Sequence, residues 1–139
     1  MSFLLDTNVV SELRKSERCD PAVRRWFDGL TDEEVFLSVL TIGEIRRGIE
    51  AVRRRDATSA RALDEWLDVL TTDHAERILG VDRRVAEEWG RLNVPDPLPA
   101  IDGLLAATAR VHSLTLATRN VGDVKRTGVA VMNPFASET

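Results

Sequence analysis

Phe3-Leu4-Leu5-Asp6-Thr7-Asn8-Val9-Val10 is the stretch whose reading decides the fold. Phe3-Leu4-Leu5 is a short apolar run that reads as a buried strand. Thr7 and Asn8 then offer capping side chains ahead of Val9, Val10 and Leu13, which recur at helical spacing. The segment is therefore a strand, a turn and a helix, with Asp6 at the carboxyl end of the strand.

The same alternation continues down the chain. Asp20-Pro21 sets a capping residue before a proline at the first helical position, and Val23, Trp26, Phe27 and Leu30 follow at helical period, with the helix ending near Gly29. The run from Glu34 to Val39 reads as a second buried strand that breaks near Thr41. Ile42, Ile45, Ile49 and Val52 then form one helical stripe, and Ala60, Leu63, Trp66, Leu67 and Leu70 form another beyond a charged turn. These two helices predict a hairpin over about 41–72. Arg77 to Val81 is a candidate short strand, and Val85, Trp89 and Leu92 lie on a helix that stops before the rigid, proline-rich loop Val94 to Pro99. A helix from Pro99 carries Ile101, Leu104, Leu105, Thr108 and Val111. Leu114 to Ala117 and Val129 to Val131 read as strands around a turn at Gly122.

Strands alternating with helices predict a three-layer α/β/α domain with a short, mostly parallel central sheet, because parallel neighbours need crossover connections. In such sheets ligands sit beyond the carboxyl ends of the strands, which is where Asp6 and the segment from Thr118 to Asp123 should lie. The 139 residues, 43% of them hydrophobic, suit a single domain over 1–139. Cys19 is the only cysteine, so neither a disulfide framework nor a thiolate metal site can form within the chain. No basic leader precedes Asp6, and Asp102, Arg110 and His112 interrupt the most apolar long stretch. A cytoplasmic protein without a membrane span is expected.

With 23 acidic against 19 basic residues the net charge is −4, which argues against a protein that holds nucleic acid by a positive surface alone. A bound divalent cation removes that objection, since it inverts the local charge that carboxylates create. Four acids are candidates to gather one: Asp6, Glu44, Asp102 and Asp123. Each also has a plain structural reading. Asp6 and Asp102 could serve helix N-termini, Glu44 could pair with Arg47 on its own helix, and Asp123 could belong to an Asn-Gly turn. As a set they are hard oxygen ligands suited to Mg²⁺ or Mn²⁺, and they would repel one another unless a cation or protons intervened. Asn8 and Ser11 could orient Asp6 by hydrogen bonds.

Leu5-Asp6-Thr7-Asn8, Thr41-Ile42-Gly43-Glu44, Ala100-Ile101-Asp102-Gly103 and Ala117-Thr118-Arg119-Asn120 through Asp123 resemble, in order and spacing, successive motifs of the PIN-domain family. The resemblance runs from about Phe3 to Phe135 and extends to the VapC toxins and their FitB-like branch. It implies an endoribonuclease in which Asp6, Glu44, Asp102 and Asp123 hold Mg²⁺ or Mn²⁺, with Asn8, Thr118 and Asn120 supporting them by hydrogen bonds. It also implies five-prime phosphate and three-prime hydroxyl products, an antitoxin partner protein and a homodimer. One departure stands out. The family often has Phe after the acid matching Asp123, and this chain has Val124.

Other chemistries fit less well. His74 and His112 are the only histidines and read as surface residues, which leaves paired-histidine RNA cleavage without a site. No Gly-x-Ser-x-Gly elbow, Walker loop or dinucleotide-binding glycine pattern is present. A non-catalytic interaction module acting through the helical hairpin, and a structure-specific DNA nuclease sharing the same metal chemistry, remain open. A phosphoacceptor domain lacks its mid-chain aspartate, since Leu37-Ser38-Val39 supplies no acid. Arg46, Arg47, Arg53, Arg54 and Arg55 could guide a phosphate backbone or form a solvated helix face. Trp26, Trp66 and Trp89 fall on apolar stripes and are assigned to the core or an interface.

Overall fold

The computed structural model describes residues 1–135, so residues 136–139 of the expected domain lie outside the described residues. Five strands, β1 (Phe3–Leu5), β2 (Val35–Ser38), β3 (Ile78–Leu79), β4 (Thr115–Ala117) and β5 (Val131–Met132), form one sheet in the order β3-β2-β1-β4-β5. Every neighbouring pair is parallel, with Leu4 opposite both Phe36 and Leu116. The chain builds outward from β1 through β2 to β3, then returns to the other side of β1 to lay down β4 and β5. The winding therefore reverses between β1 and β4, the position at which parallel sheets open a crevice at their carboxyl ends.

Among the described residues, seven helices cover the sheet. α1 (Thr7–Leu13), α2 (Pro21–Asp28), α3 (Val39–Arg53) and α4 (Ala57–Asp73) lie on one face; α5 (Arg83–Leu92), α6 (Ala100–Val111) and α7 (Val121–Lys125) belong to the other. The strands themselves show why both faces are covered. In β1, Phe3 and Leu5 pack with Val9, Val10, Ile45, Ile49 and Leu67, whereas Leu4 packs with Leu105, Ala106, Ala109 and Leu116. A continuous apolar run is the signature of a strand buried on both sides. Phe3 also meets Trp26 edge to face, with ring centroids 5.1 Å apart.

The three-layer α/β/α architecture and the hairpin of α3 and α4 match the expectation. Asp64 fastens the hairpin by accepting from Arg46 at 2.7 Å and Arg53 at 2.7 Å, and Glu50 pairs with both arginines. Four local expectations change. The helix expected beyond Thr41 begins at Val39, because the Ser38 side chain accepts from Leu40 N–H and caps it early. The turn at Gly122 is part of the short helix α7, whose buried Val124 draws the segment onto the core. The last strand is Val131–Met132 rather than Val129 to Val131, since Val129 is a core residue just ahead of it. The strand expected from Arg77 to Val81 shortens to Ile78–Leu79.

Trp89 is 37% exposed and lies in neither core cluster. It packs instead at the crossing of α5 and α6, where a Cβ on Gly103 would come within 3.1 Å of Trp89 Nε1 and 3.2 Å of Asn93 Nδ2. Gly103 thus permits the close approach that sets where the first turn of α6 sits. The proline-rich loop is closed by Leu98 N–H donating to Asn93 Oδ1 at 2.7 Å. Among the described residues no helix is long and apolar enough to cross a membrane.

Gly103→Val should lower stability by about 1–3 kcal/mol through overpacking against Trp89 and Asn93. Urea denaturation followed by circular dichroism measures this, and an unchanged midpoint would show that the contact is slack.

Candidate active site

Asp6 leaves β1 at the reversal point, with its N–H donating to Ala117 O at 2.9 Å across the β1/β4 junction. Its two carboxylate oxygens have separate duties. Oδ1 accepts from Thr7 N–H at 2.6 Å and caps α1, while Oδ2 accepts from Thr118 Oγ1 at 2.7 Å. The capping and functional readings of Asp6 are thus compatible, because one oxygen serves the helix and the other faces the opposite strand end. Asp6 is 8% exposed and Thr118 is 1% exposed. Burial pushes the Asp6 carboxyl above the usual carboxylate range; the Thr118 and Thr7 hydrogen bonds oppose the rise, and the negative charges of Asp102 and Glu44 add to it.

Glu44 stands in the sixth position of α3 and accepts from the Thr7 hydroxyl. No ion pair joins it to Arg47 among the described residues, so the ordinary surface pairing is not what holds it. Asp102 lies in the first turn of α6, partly buried. Its carboxyl is also raised, chiefly by burial and then by the charges of Glu44 and Asp123. Asp123 is exposed on α7, where the adjoining Val124 is buried at the position the family often gives to Phe. The charges of Asp102 and Glu44 thus act on Asp6, and those of Glu44 and Asp123 act on Asp102.

Among the described residues, no three acidic, histidine or cysteine side chains are arranged to enclose an ion by themselves. The donor chemistry fits an open site instead. Mg²⁺ keeps several of its waters and needs only one or two direct carboxylates, and hard oxygens on separate, rigid elements meet that requirement.

The supporting residues divide clearly. Thr118 Oγ1 donates to Asp6 and accepts from Asn120 N–H at 3.0 Å, so Asn120 contributes a backbone group rather than its side chain. Asn8 receives Arg119 N–H at 3.2 Å and lies at 3.4 Å from Thr118 Oγ1 and 3.5 Å from Asp6 Oδ2, tying α1 to the segment after β4. Ser11 makes no hydrogen bond to Asp6 among the described residues; it lines a cleft beside Glu44. The Thr7 hydroxyl was not singled out in the sequence, because Thr7 reads there only as a capping residue. Glu12 is a second omission: 8% exposed, it accepts from Asp20 N–H and Lys15 and joins the end of α1 to the start of α2. Among the described residues, buried Thr41 Oγ1 has no hydrogen-bond partner. Arg46 and Arg53 are committed to Glu50 and Asp64, which leaves Arg47, Arg54 and Arg55 as the outward members of that run. His74 and His112 lie at the ends of α4 and α6 and take no part in the carboxylate group.

The fold and the carboxylates define an α/β protein with an acidic centre at the reversal point of a parallel sheet. The chain belongs to the PIN domain family, whose model matches residues 3–128. It is 35% identical to Toxin FitB of Neisseria gonorrhoeae over 96% of this chain and 98% of that protein. It is 34% identical to VapC ribonuclease Y4jK of Sinorhizobium fredii over 96% and 97% of the two chains. The crystal structure of FitAcB from Neisseria gonorrhoeae contains a chain that superposes with a TM-score of 0.88 at 36% identity, covering 95% of this chain and 97% of that one.

Because the folded carboxyls of Asp6 and Asp102 are raised, the folded state binds more protons than the unfolded state just above the ordinary carboxylate range. Their contribution therefore lowers stability as pH rises through that window. Asp102→Asn should raise the metal-free melting temperature at neutral pH and leave it unchanged at about pH 3, below the usual carboxylate values of roughly 4. Asp6→Asn gains less, because an NH₂ donor replaces one of the two oxygens that accept separately from Thr7 N–H and Thr118 Oγ1. Thermal melts in EDTA across pH test this; a lower melting temperature for Asp102→Asn at neutral pH would contradict it.

Proposed function

We propose that this protein is a Mg²⁺- or Mn²⁺-dependent endoribonuclease and the toxin of a toxin–antitoxin pair. The observation that carries the reading is the nearness of Asp6, Glu44 and Asp102, three acids from distant parts of the chain at one end of the sheet, close enough for the charge of Glu44 to act on both aspartates and that of Asp102 to act on Asp6. Two relatives carry the names toxin and ribonuclease. Asp6, Glu44 and Asp102 would hold the cation, with Asp123 at the edge. When bound, such an ion lowers the pKa of a coordinated water and offsets charge on the phosphate and leaving oxygen.

The protein's own residues supply position and protonation state. Thr118 and Thr7 donate to Asp6 and favour its ionised form, the form that binds a cation, against the cost of burial. Thr7 also holds Glu44, so one residue at the start of α1 fixes two of the acids. Asn8 and the Asn120 N–H hold the segment that presents Thr118. Asp102 rides on α6, whose place is set by the contact of Gly103 with Trp89. A charge cluster of this kind reaches a polyanion only through a cation, consistent with the net charge of −4.

Cleavage of a mixed structured RNA pool with Mg²⁺, Mn²⁺ or EDTA, beside duplex DNA, tests the activity. Cutting of RNA should require the metal and fall by at least about a hundredfold in Asp6→Asn and in Asp102→Asn. Equal cutting by these variants, or cutting of duplex DNA alone, would overturn the reading. Thr118→Val, which removes only the hydroxyl that orients Asp6, should lower activity by about 10- to 100-fold while the protein stays folded.

The antitoxin, a small partner protein covering the acidic groove, the homodimer and the cytoplasmic location belong to the same proposal. Copurification from the native host and light scattering of the purified protein test the first two. Recovery of this chain alone, as a monomer, would count against both.

A further inference from the structure

A cleft between α1 and α3 adjoins the acids but is not accounted for by metal binding. Its volume is about 170 Å³; Ser11 lines it from α1 and Arg14 from the end of that helix, Glu44 and Gly48 from α3, and Ile49 and Trp66 lie along its apolar side. Resting on the ribonuclease reading above, we infer that this cleft is a nucleobase subsite, taking the base next to the scissile phosphate and favouring a pyrimidine.

Three observations lead there. The first is continuity, since Thr7 and Glu44 belong both to the carboxylate group and to the cleft wall, so a chain whose phosphate reaches the acids brings its neighbouring base to this opening. The second is Gly48. A glycine in the interior of a helix is unfavourable and normally answers to a close neighbour, yet a Cβ at Gly48 would have no heavy atom within 4 Å. Packing does not require this glycine; its bare backbone keeps the cleft open. The third is chemistry and size. Apolar cavities of about 150 Å³ hold a single six-membered ring, aromatic side chains such as Trp66 suit the faces of bases, and Arg14 is a guanidinium with no ion pair or hydrogen bond among the described residues. An apolar slot with an unpaired donor at its rim matches a base, whose faces are apolar and whose edges accept hydrogen bonds.

Gly48→Met tests the inference, because its side chain would enter the open cleft while improving helix propensity. Labelled oligo-U, oligo-C and oligo-A RNAs are titrated against the wild type and Gly48→Met with Ca²⁺ in place of Mg²⁺, so that the acids keep a cation and binding is read without cleavage, and cleavage of the mixed RNA pool with Mg²⁺ is sequenced with Gly48 intact or substituted. The expected result is tighter binding of oligo-U and oligo-C than of oligo-A, weakened about tenfold by Gly48→Met, with loss of base preference at the cut site and an undiminished melting temperature. Unchanged RNA affinity and cut-site preference in folded Gly48→Met would overturn the subsite while leaving the ribonuclease reading intact. A loss confined to partner-protein binding would overturn it in favour of a protein-docking cleft. Should the wild-type neither bind nor cut RNA, the ribonuclease reading fails and the inference with it. A lower melting temperature moves the test to Arg14→Ala, for which unchanged RNA affinity is again the contrary result.

Discussion

The hydrogen bond from Thr118 Oγ1 to Asp6 Oδ2, 2.7 Å long and shut away from solvent, is the constraint around which the site is organised. It spans the two strands between which the winding of the sheet reverses, and it sets a donor against a carboxylate whose burial disfavours its charge. An ionised acid in such a place is expensive unless something compensates it. Thr118 and the Thr7 N–H that the acid caps compensate in part, while Asp102 and Glu44 work in the opposite direction. The balance is resolved by protons or by a cation, and that choice links the fold's electrostatics to its chemistry.

This arrangement depends on packing some distance away. β1 can place Asp6 rigidly because Phe3 and Leu5 face one core and Leu4 the other. Asp102 arrives on an alanine-rich face of α6 that lets the helix sit close, and Gly103 admits Trp89 beside it. Glu44 comes from α3, anchored by Ile45 and Ile49 and braced against α4 through Asp64. Three separate stretches thus carry their acids to one end of the sheet because each rides on an element whose apolar side has one place to go.

Much of this was legible in the sequence, for physical reasons. The apolar run before Asp6, the helical stripes and the proline at the start of α2 encode their elements locally, so the three-layer architecture could be named in advance, whereas the four acids each kept a structural alternative and were grouped by their resemblance to PIN-domain motifs. What escaped was decided by tertiary partners. Ser38 reads equally as a strand end or a cap, and only Leu40 N–H shows which. Gly122 carries turn chemistry, yet buried Val124 makes the segment helical. Thr7 resembles any capping residue until Glu44, 37 positions away, is found accepting from its hydroxyl. The reach of Asp123 was likewise not readable, since an acid on a short exposed helix is placed by how the buried Val124 beside it packs.

The most direct test of the central claim is a titration of the metal-free protein with Mn²⁺, followed by electron paramagnetic resonance, on the wild type and on Asp102→Asn. The account predicts saturable binding that Mg²⁺ displaces and that the variant loses while remaining folded. Absence of saturable binding in the wild type, or equal binding in the variant, would contradict the view that these carboxylates are gathered to share a cation.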